Sequence, residues 1–255
     1  MKLKLAALAA LSTLAATPVL AQTAGDIAFT SVNADEDGWA LVTFVTLAPN
    51  TTIYFSDNEW NGSAIGSGGA FNTGESFHQW TSGGAPIAAG TVVRFAAVDL
   101  TSLSASVGTL NRAPVTGSSN YGLSQSEESI YAYLGSNAST PTTFLAAIST
   151  KSFGIAAAGF LTGTGLSLGS GALQLGIATG GDFAEYTGTR NTLTSIAAYK
   201  PLVFNIANWN NPGDGTFAAT VPNLTPLAAI PEPGTYALLL AGLAAVGWVA
   251  RRRQG

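Results

Sequence analysis

The sequence has no cysteine, a single histidine and few charged residues. Its 255 residues are 47% hydrophobic and only 9% charged, with 30 glycines. The absence of cysteine excludes disulfides, thiolate metal sites and a cysteine nucleophile. A single histidine excludes a multi-histidine zinc site. Because an average soluble protein is about 25% charged, this composition favours a β-rich protein that works outside the cytoplasm.

Basic residues are scarce between the two ends of the chain. Residues 22–230 contain 13 Asp and Glu residues but only five basic ones. Binding of DNA or RNA through phosphates requires clustered lysine and arginine. We therefore predict that the protein has no nucleic-acid partner. The five basic residues are Arg94, Arg112, Lys151, Arg190 and Lys200.

The first 21 residues have the pattern of a secretory signal peptide. Lys2 and Lys4 precede an apolar run, which is followed by the helix breaker Pro18 and the small residue Ala21. A cleaved export signal typically has a positively charged start, then an apolar stretch and then a small residue at the cleavage site. We expect a signal helix in residues 1–21 and cleavage between Ala21 and Gln22. A buried N-terminal helix is the alternative interpretation.

A second apolar run, from Tyr236 to Ala250, lies near the C terminus. As a helix its 15 residues rise about 22 Å, which is less than the roughly 30 Å of a bilayer's hydrocarbon core. Long arginine side chains can reach the interface and a bilayer can thin at modest cost. We therefore expect a single transmembrane helix at about 235–250. The positive-inside rule places the flanking Arg251, Arg252 and Arg253 in the cytoplasm and the body on the periplasmic side.

The tripeptide Pro231, Glu232, Pro233, the short Ala/Leu/Gly helix and the terminal arginines together closely resemble the PEP-CTERM sorting signal. The resemblance implies recognition by an exosortase, a membrane-embedded transpeptidase-like protease. It also implies a Gram-negative source that produces exopolysaccharide. Two prolines keep the chain extended before the helix, so the segment stays open to an enzyme. A permanent single-span anchor is the alternative mature form.

The body between the two ends contains several short strand patterns. The segment 39–47 is apolar on both faces, as expected for a strand in the middle of a sandwich. Gly-, Ser- and Asn-rich turns separate the strands, which favours an all-β sandwich over a helical fold. The stretch 153–170 is compatible with either a short helix or a loop. The predicted strands are GDIAFTS (25–31), WALVTFVTL (39–47), TTIYFSD (51–57), TVVRFAAVD (91–99), SIYAYLG (129–135), TFLAAIS (143–149) and ALQLGIA (172–178).

Six segments of the body carry a second resemblance. They are GDIAFTSVNAD (25–35), TTIYFSDNEWNG (51–62), AFNTGES (70–76), IAAGTVVRF (87–95), EYTGTR (185–190) and IANWNN (206–211). Together they are similar to a domain recurrent in exported bacterial proteins, related to the lamin-tail type of immunoglobulin-like sandwich. The resemblance implies an adhesive or scaffolding role, and no catalytic motif comes with it.

The densest acidic cluster offers a calcium hypothesis. Asp35 and Asp37 lie in one turn, and Asp57 and Glu59 lie at and after the end of the second predicted strand that follows. Calcium binds carboxylate and loop carbonyl oxygens, so these four are the predicted ligands if calcium binds. The spacing lacks the pattern of a calcium loop, and the sequence around Asp35 is also a good turn sequence. We predict no obligatory cofactor.

His78 and the tryptophans give two further alternatives. A hydrolase would depend wholly on His78, with Ser76 and Ser82 nearby, but no serine lies in a convincing nucleophile elbow. Exposed tryptophans could stack on sugar rings, although large aromatics more often belong to the core. Trp60 and Trp209 lie in polar loop sequences, so we expect these two to be the more exposed.

These patterns divide the chain into a signal peptide (1–21), a β-sandwich domain (22–221), a linker (222–230) and a sorting signal (231–255). The leading hypothesis is a non-enzymatic exported protein. It would pass through a single-pass inner-membrane intermediate to the cell surface or extracellular matrix. Its expected partners are an exosortase, the membrane and exopolysaccharide. The rival hypotheses are a calcium- or carbohydrate-binding surface module and a hydrolase that uses His78.

Overall fold

The computed structural model describes residues 21–176, 181–230 and 233–253. The predicted signal helix therefore lies outside the described residues, apart from Ala21. The described residues form thirteen strands: β1 (Ile27–Asn33), β2 (Gly38–Thr43), β3 (Thr52–Ser56), β4 (Phe77–Thr81), β5 (Val92–Ala96), β6 (Ser104–Ala105), β7 (Thr109–Arg112), β8 (Ser129–Asn137), β9 (Thr140–Ser149), β10 (Ser167–Leu168), β11 (Gly171–Gln174), β12 (Phe183–Tyr186) and β13 (Trp209–Gly213).

Helix is confined to short turns in the body and one longer element at the C terminus. The short helix α1 (Lys200–Val203) lies between two 3₁₀ turns, Ala197–Tyr199 and Ile206–Asn208. The longer helix α2 spans Pro233–Arg252. The stretch 153–170, for which a short helix or a loop was expected, is a loop that ends in β10.

The strands form two sheets. The first sheet has six strands in the order β13-β12-β1-β2-β5-β6, and the second has seven in the order β10-β11-β9-β8-β3-β4-β7. All pairings are antiparallel except those of β11 with β10 and β9. Each of the seven predicted segments contains a strand, so the all-β prediction is confirmed. Strand β4, which carries His78, was not among the predicted strands.

The main core lies between the two sheets. It combines Phe95 of the first sheet with Phe55 and Trp80 of the second. The ring centroid of Phe95 lies 4.9 Å from that of Phe55 and 5.5 Å from that of Trp80. Burial of such aromatic surface makes a dominant contribution to the energetics of a core. The body is therefore a two-sheet sandwich.

The outer faces of both sheets are also covered. On β2, Leu41 packs in the main core, whereas Val42 packs outside the first sheet against Val203 and Leu227. On the second sheet, buried Tyr131 of β8 packs outward in a separate cluster. Alternate residues of a strand face opposite sides of a sheet, so burial on both sides explains why 39–47 has apolar residues on both faces.

Candidate functional site

The C-terminal helix α2 presents an apolar surface that does not pack against the body. Seven of its large hydrophobic side chains are between 44% and 77% exposed. They follow one another along residues 238–249 and occur on all sides of the helix. A helix that is apolar all round is normally buried, in a protein core or in a membrane. The seven residues are Leu238, Leu239, Leu240, Leu243, Val246, Trp248 and Val249.

The arginines end this helix as the sequence predicted. Arg251 and Arg252 belong to its last turn, and Arg253 follows it, all three exposed. Positive charge at a helix C terminus is favourable because the last carbonyl groups carry partial negative charge. The guanidinium of Arg252 lies over the ring of Trp248, 4.1 Å from its centroid. Of the tripeptide, Pro231 and Glu232 lie outside the described residues, and Pro233 begins α2.

No helix within residues 21–176, 181–230 and 233–253 has the combination of length and mean hydropathy that a membrane span requires.

Residues 221–230, which we call the strap, contain no helix or strand, yet they are bound to the sandwich. The amide of Leu227 donates to the carbonyl of Gly90 (2.9 Å), and the amide of Ile230 donates to that of Leu193 (2.9 Å). The side chain of Leu227 is 3% exposed and packs on the outer face of the first sheet. Ile230, which precedes the tripeptide, is therefore fixed on the body.

Two side chains of the body reinforce the strap. The guanidinium of Arg190 donates to the carbonyl of Thr225 (2.7 Å), and the Tyr199 hydroxyl donates to that of Ala228 (2.9 Å). Gly90 leaves no room for a side chain, because its φ is +90° and an added Cβ would lie 2.2 Å from the Leu227 carbonyl oxygen. The stretch predicted as a linker thus has a specific binding place on the sheet.

At one end of the second sheet, polar side chains converge inside the protein. Asp57 follows β3, Ser76 precedes β4 and Glu128 precedes β8. Because β3 is antiparallel to both β4 and β8, its last residues lie beside the first residues of those strands. Asp57, Ser76 and Glu128 are each at most 3% exposed. The sequence does not single out Glu128, because its position depends on pairing between distant strands.

His78 takes part in this buried cluster. Its Nδ1 lies 3.2 Å from the Ser76 Oγ, and its Nε2 lies 3.2 Å from the Val98 carbonyl oxygen. Burial lowers the pKa of His78 to about 4, against the opposing effect of its hydrogen bond to Val98. The imidazole is therefore neutral at pH 7, and donation to Val98 leaves Nδ1 as an acceptor.

The cluster does not have the order of a hydrolytic triad. The Ser76 Oγ lies 2.8 Å from Asp57 Oδ1 and 3.2 Å from His78 Nδ1, so the serine lies between the carboxyl and the imidazole. In a triad the histidine is in the middle, where it accepts the proton of the nucleophile. His78 is also completely buried. The geometry therefore gives no support to the hydrolase alternative, and it points to a structural polar network.

The carboxyl groups of this network hold protons more tightly than usual. Burial raises the pKa of Asp57 from 3.8 to about 7, against the effect of its hydrogen bonds from Ser76. Burial and then the charge of Asp57 raise the pKa of Glu128 well above 4.5. Burial and the charge of Glu59 raise the pKa of half-buried Glu75 to about 7. A charged carboxylate is costly in an apolar surrounding, so these groups favour the protonated form.

The four predicted calcium ligands are engaged mainly in loop hydrogen bonds. Asp35 accepts from the Phe217 amide (2.6 Å), and Asp37 accepts from the Leu123 amide (2.5 Å). Glu59 accepts from the side chain of Asn72. In the part of the chain that the structure describes, no three His, Cys, Asp or Glu side chains are grouped as a metal site requires. Calcium binding by Asp35, Asp37, Asp57 and Glu59 stays a prediction.

The expectation that Trp60 is exposed is wrong. Trp60 is completely buried and covers the outer face of the second sheet, with ring centroids 4.9 Å from Phe144 and 5.2 Å from Phe71. Its polar neighbours in sequence belong to a loop that folds over this face. Trp209 is half-buried, and its indole nitrogen donates to the Val203 carbonyl (2.8 Å).

Fold and site together define an all-β sandwich joined by a bound strap to a C-terminal helix with exposed apolar side chains and terminal arginines. The family model of the PEP-CTERM protein-sorting motif matches residues 229–254. No curated protein and no solved structure matches the chain. The matched motif supports the PEP-CTERM prediction and indicates an exported, surface-directed protein that an exosortase processes. It covers about a tenth of the chain, and the lamin-tail resemblance of the body stays a prediction.

Proposed function

We propose that this chain is a non-enzymatic protein of the cell surface or extracellular matrix, delivered by a cleaved signal peptide and released from the membrane by an exosortase. The observation that carries the proposal is the sorting motif at residues 229–254. The motif coincides with a helix whose large apolar side chains are exposed and are not covered by the body. The body then reaches its destination without the helix.

In the proposed intermediate, α2 lies in the inner membrane as a short single span, with the body in the periplasm. Its seven exposed apolar side chains lose contact with water on insertion, and each large one contributes about 1.5–3 kcal/mol. The apolar part is shorter than a standard bilayer core, so we expect local thinning and interfacial placement of Arg251–Arg253 to make up the difference. A marginal span of this kind suits a temporary holding state.

The strap supports a second part of the proposal, namely that the exosortase works close to the surface of the sandwich. Ile230 is hydrogen-bonded to Leu193, and the tripeptide begins at the next residue. Little free chain therefore separates the body from the site of processing. We further propose that the body is an immunoglobulin-like sandwich of the lamin-tail type with an adhesive or scaffolding role. The cluster around Asp57, His78 and Glu128 is buried inside the body, which is consistent with a non-enzymatic role.

The test is mass spectrometry of the protein from exosortase-containing cells, fractionated into membrane, matrix and medium. We expect the surface and medium forms to lack Arg251–Arg253. A Glu232→Ala variant should accumulate in the membrane with its C terminus intact. Asp214→Ala, which removes an exposed carboxylate from the body, is the matched control and should be processed normally.

Two results would contradict the proposal. The first is wild-type protein at the surface that retains the terminal arginines, because the helix would then be a permanent anchor. The second is equal processing of wild type and Glu232→Ala in the same cells, because the tripeptide would then not be read.

A further inference from the structure

A cleft of about 550 Å³ lies on the outer face of the second sheet. Tyr54 and Gln79 line it from directly paired positions on β3 and β4. Ile53 and Phe55, the neighbours of Tyr54, point into the main core, so Tyr54 points outward. The turn after β8 and the segment after β7 form the remaining walls. Cavities of this size are typical of small-ligand sites.

The floor of the cleft is apolar and rigid. Ala113 and Ala138 are 2% and 5% exposed and pack with half-buried Tyr54. The ring of Tyr54 is stacked on completely buried Tyr133, with 5.9 Å between centroids and 27° between planes. The Tyr133 hydroxyl donates to the Ala138 carbonyl, which ties the Tyr133 side chain to the floor of the cleft. Tyr54 is therefore a preformed aromatic platform.

The rim of the cleft combines apolar Pro114 and Val115 with uncharged polar side chains. None of the described residues that line it is Asp, Glu, Lys, Arg or His. The side chains of Gln79, Thr73 and Thr116 line the cleft and make no hydrogen bond to any described residue. The Asn137 Oδ1 accepts from the amide and hydroxyl of Ser139 (both 3.0 Å), which orients the Asn137 side chain. Its NH₂ group stays available as a donor.

We propose that this cleft binds a neutral saccharide. A pyranose ring has an apolar C–H face that packs on an aromatic platform, and its hydroxyl groups both donate to and accept from amides and hydroxyls. The cleft provides these two complementary surfaces. The described residues of the cleft provide no charged group for a phosphate or carboxylate and no carboxylate for a cation. The cleft belongs to the body, so the inference goes beyond sorting and does not depend on it.

This location differs from the one that the tryptophans indicated in the sequence. Trp60 is enclosed by its own loop, whereas Tyr54 is held at the surface by strand pairing and by the adjacent ring of Tyr133. The polar partners come from three separate parts of the chain. Only the packed sheet brings Gln79, Thr116 and Asn137 to one cleft.

The experiment is isothermal titration of the full-length protein in a polyoxyethylene detergent, which has no sugar headgroup. The probes are neutral hexasaccharides of glucose, mannose, galactose and N-acetylglucosamine, with oligogalacturonate as the anionic comparison. We expect at least one neutral probe to bind. Loss of the platform in Tyr54→Ala should weaken that binding about three- to tenfold, and Tyr54→Phe should restore most of it.

Gln79→Ala provides an independent variant, because it removes an amide from the rim and leaves the floor intact. It should also weaken binding, whereas Gln125→Ala, which removes an amide that does not line the cleft, should not. Melting temperatures of all variants establish that each is folded. The proposal is overturned if no neutral probe binds at 10 mM, if oligogalacturonate binds better, or if Tyr54→Ala and Gln79→Ala both bind like the wild type.

Discussion

Replacing Asp57 with asparagine should change the way in which stability depends on pH. In the folded protein, burial raises the pKa of this carboxyl from 3.8 to about 7, whereas the unfolded chain keeps the ordinary value. Between the two values the folded state binds more protons than the unfolded state. Stability due to Asp57 is therefore fully present below pH 3.8 and is lost as the pH rises through 7. The asparagine variant does not ionise and escapes this loss.

The size of the effect follows from the shift. One pKa unit corresponds to about 1.4 kcal/mol, so the shift of Asp57 lowers the free energy of unfolding by roughly 2–3 kcal/mol between pH 5 and pH 8. His78 acts in the opposite direction, since its pKa is lowered from 6.5 to about 4, and adds roughly 2 kcal/mol over the same range. Glu75 and Glu128, with raised pKa values, act in the same direction as Asp57.

The assay is urea unfolding of wild type and Asp57→Asn in the same detergent at pH 5 and pH 8, followed by tryptophan fluorescence. The measured quantity is the change in unfolding free energy between the two pH values. Relative to wild type, we expect this change to be more favourable in the variant by roughly 2–3 kcal/mol. Asparagine keeps an acceptor for the Ser76 amide, which bonds to Asp57 at 2.6 Å. Asp214→Asn, at an exposed position, is the control.

An unchanged pH dependence in Asp57→Asn would mean that this carboxyl is not the group that titrates. Loss of stability by the same amount at both pH values would lead to the same conclusion. It would mean that the carboxyl acts only through its hydrogen bonds and packing.

Three further predictions concern the buried cluster, the outer face of the second sheet and the strap. His78→Gln should make the loss of stability from pH 5 to pH 8 steeper by roughly 2 kcal/mol in the same assay, and an unaltered slope would contradict the low pKa. Trp60→Ala should cost about 3–5 kcal/mol of unfolding free energy, and a wild-type urea midpoint would be inconsistent with its burial. Leu227→Ala should cost about 2–5 kcal/mol and admit protease cleavage in 221–230, whereas Val221→Ala, at a 58% exposed position, should do neither.

Several features of the protein could be predicted from local sequence because their physical cause is local. Segment 39–47 has apolar residues at both odd and even positions, and the structure buries both faces of β2. The sorting segment was predicted because its prolines, its apolar run and its arginines follow one another directly in the sequence. The matched motif at 229–254 supports that interpretation. Strand β4 escaped prediction because His78 and Gln79 interrupt its apolar pattern.

The β-rich class of the body and the character of the C-terminal segment thus follow from the amino-acid order. Which side chains are buried and which are exposed depends on the folded arrangement of the two sheets. That arrangement buries Trp60 under a polar loop, brings Asp57 and Glu128 together, and fixes Leu227 on the sheet. The physical reason is that these contacts join segments far apart in the chain, and strand register rather than neighbouring residues sets their geometry.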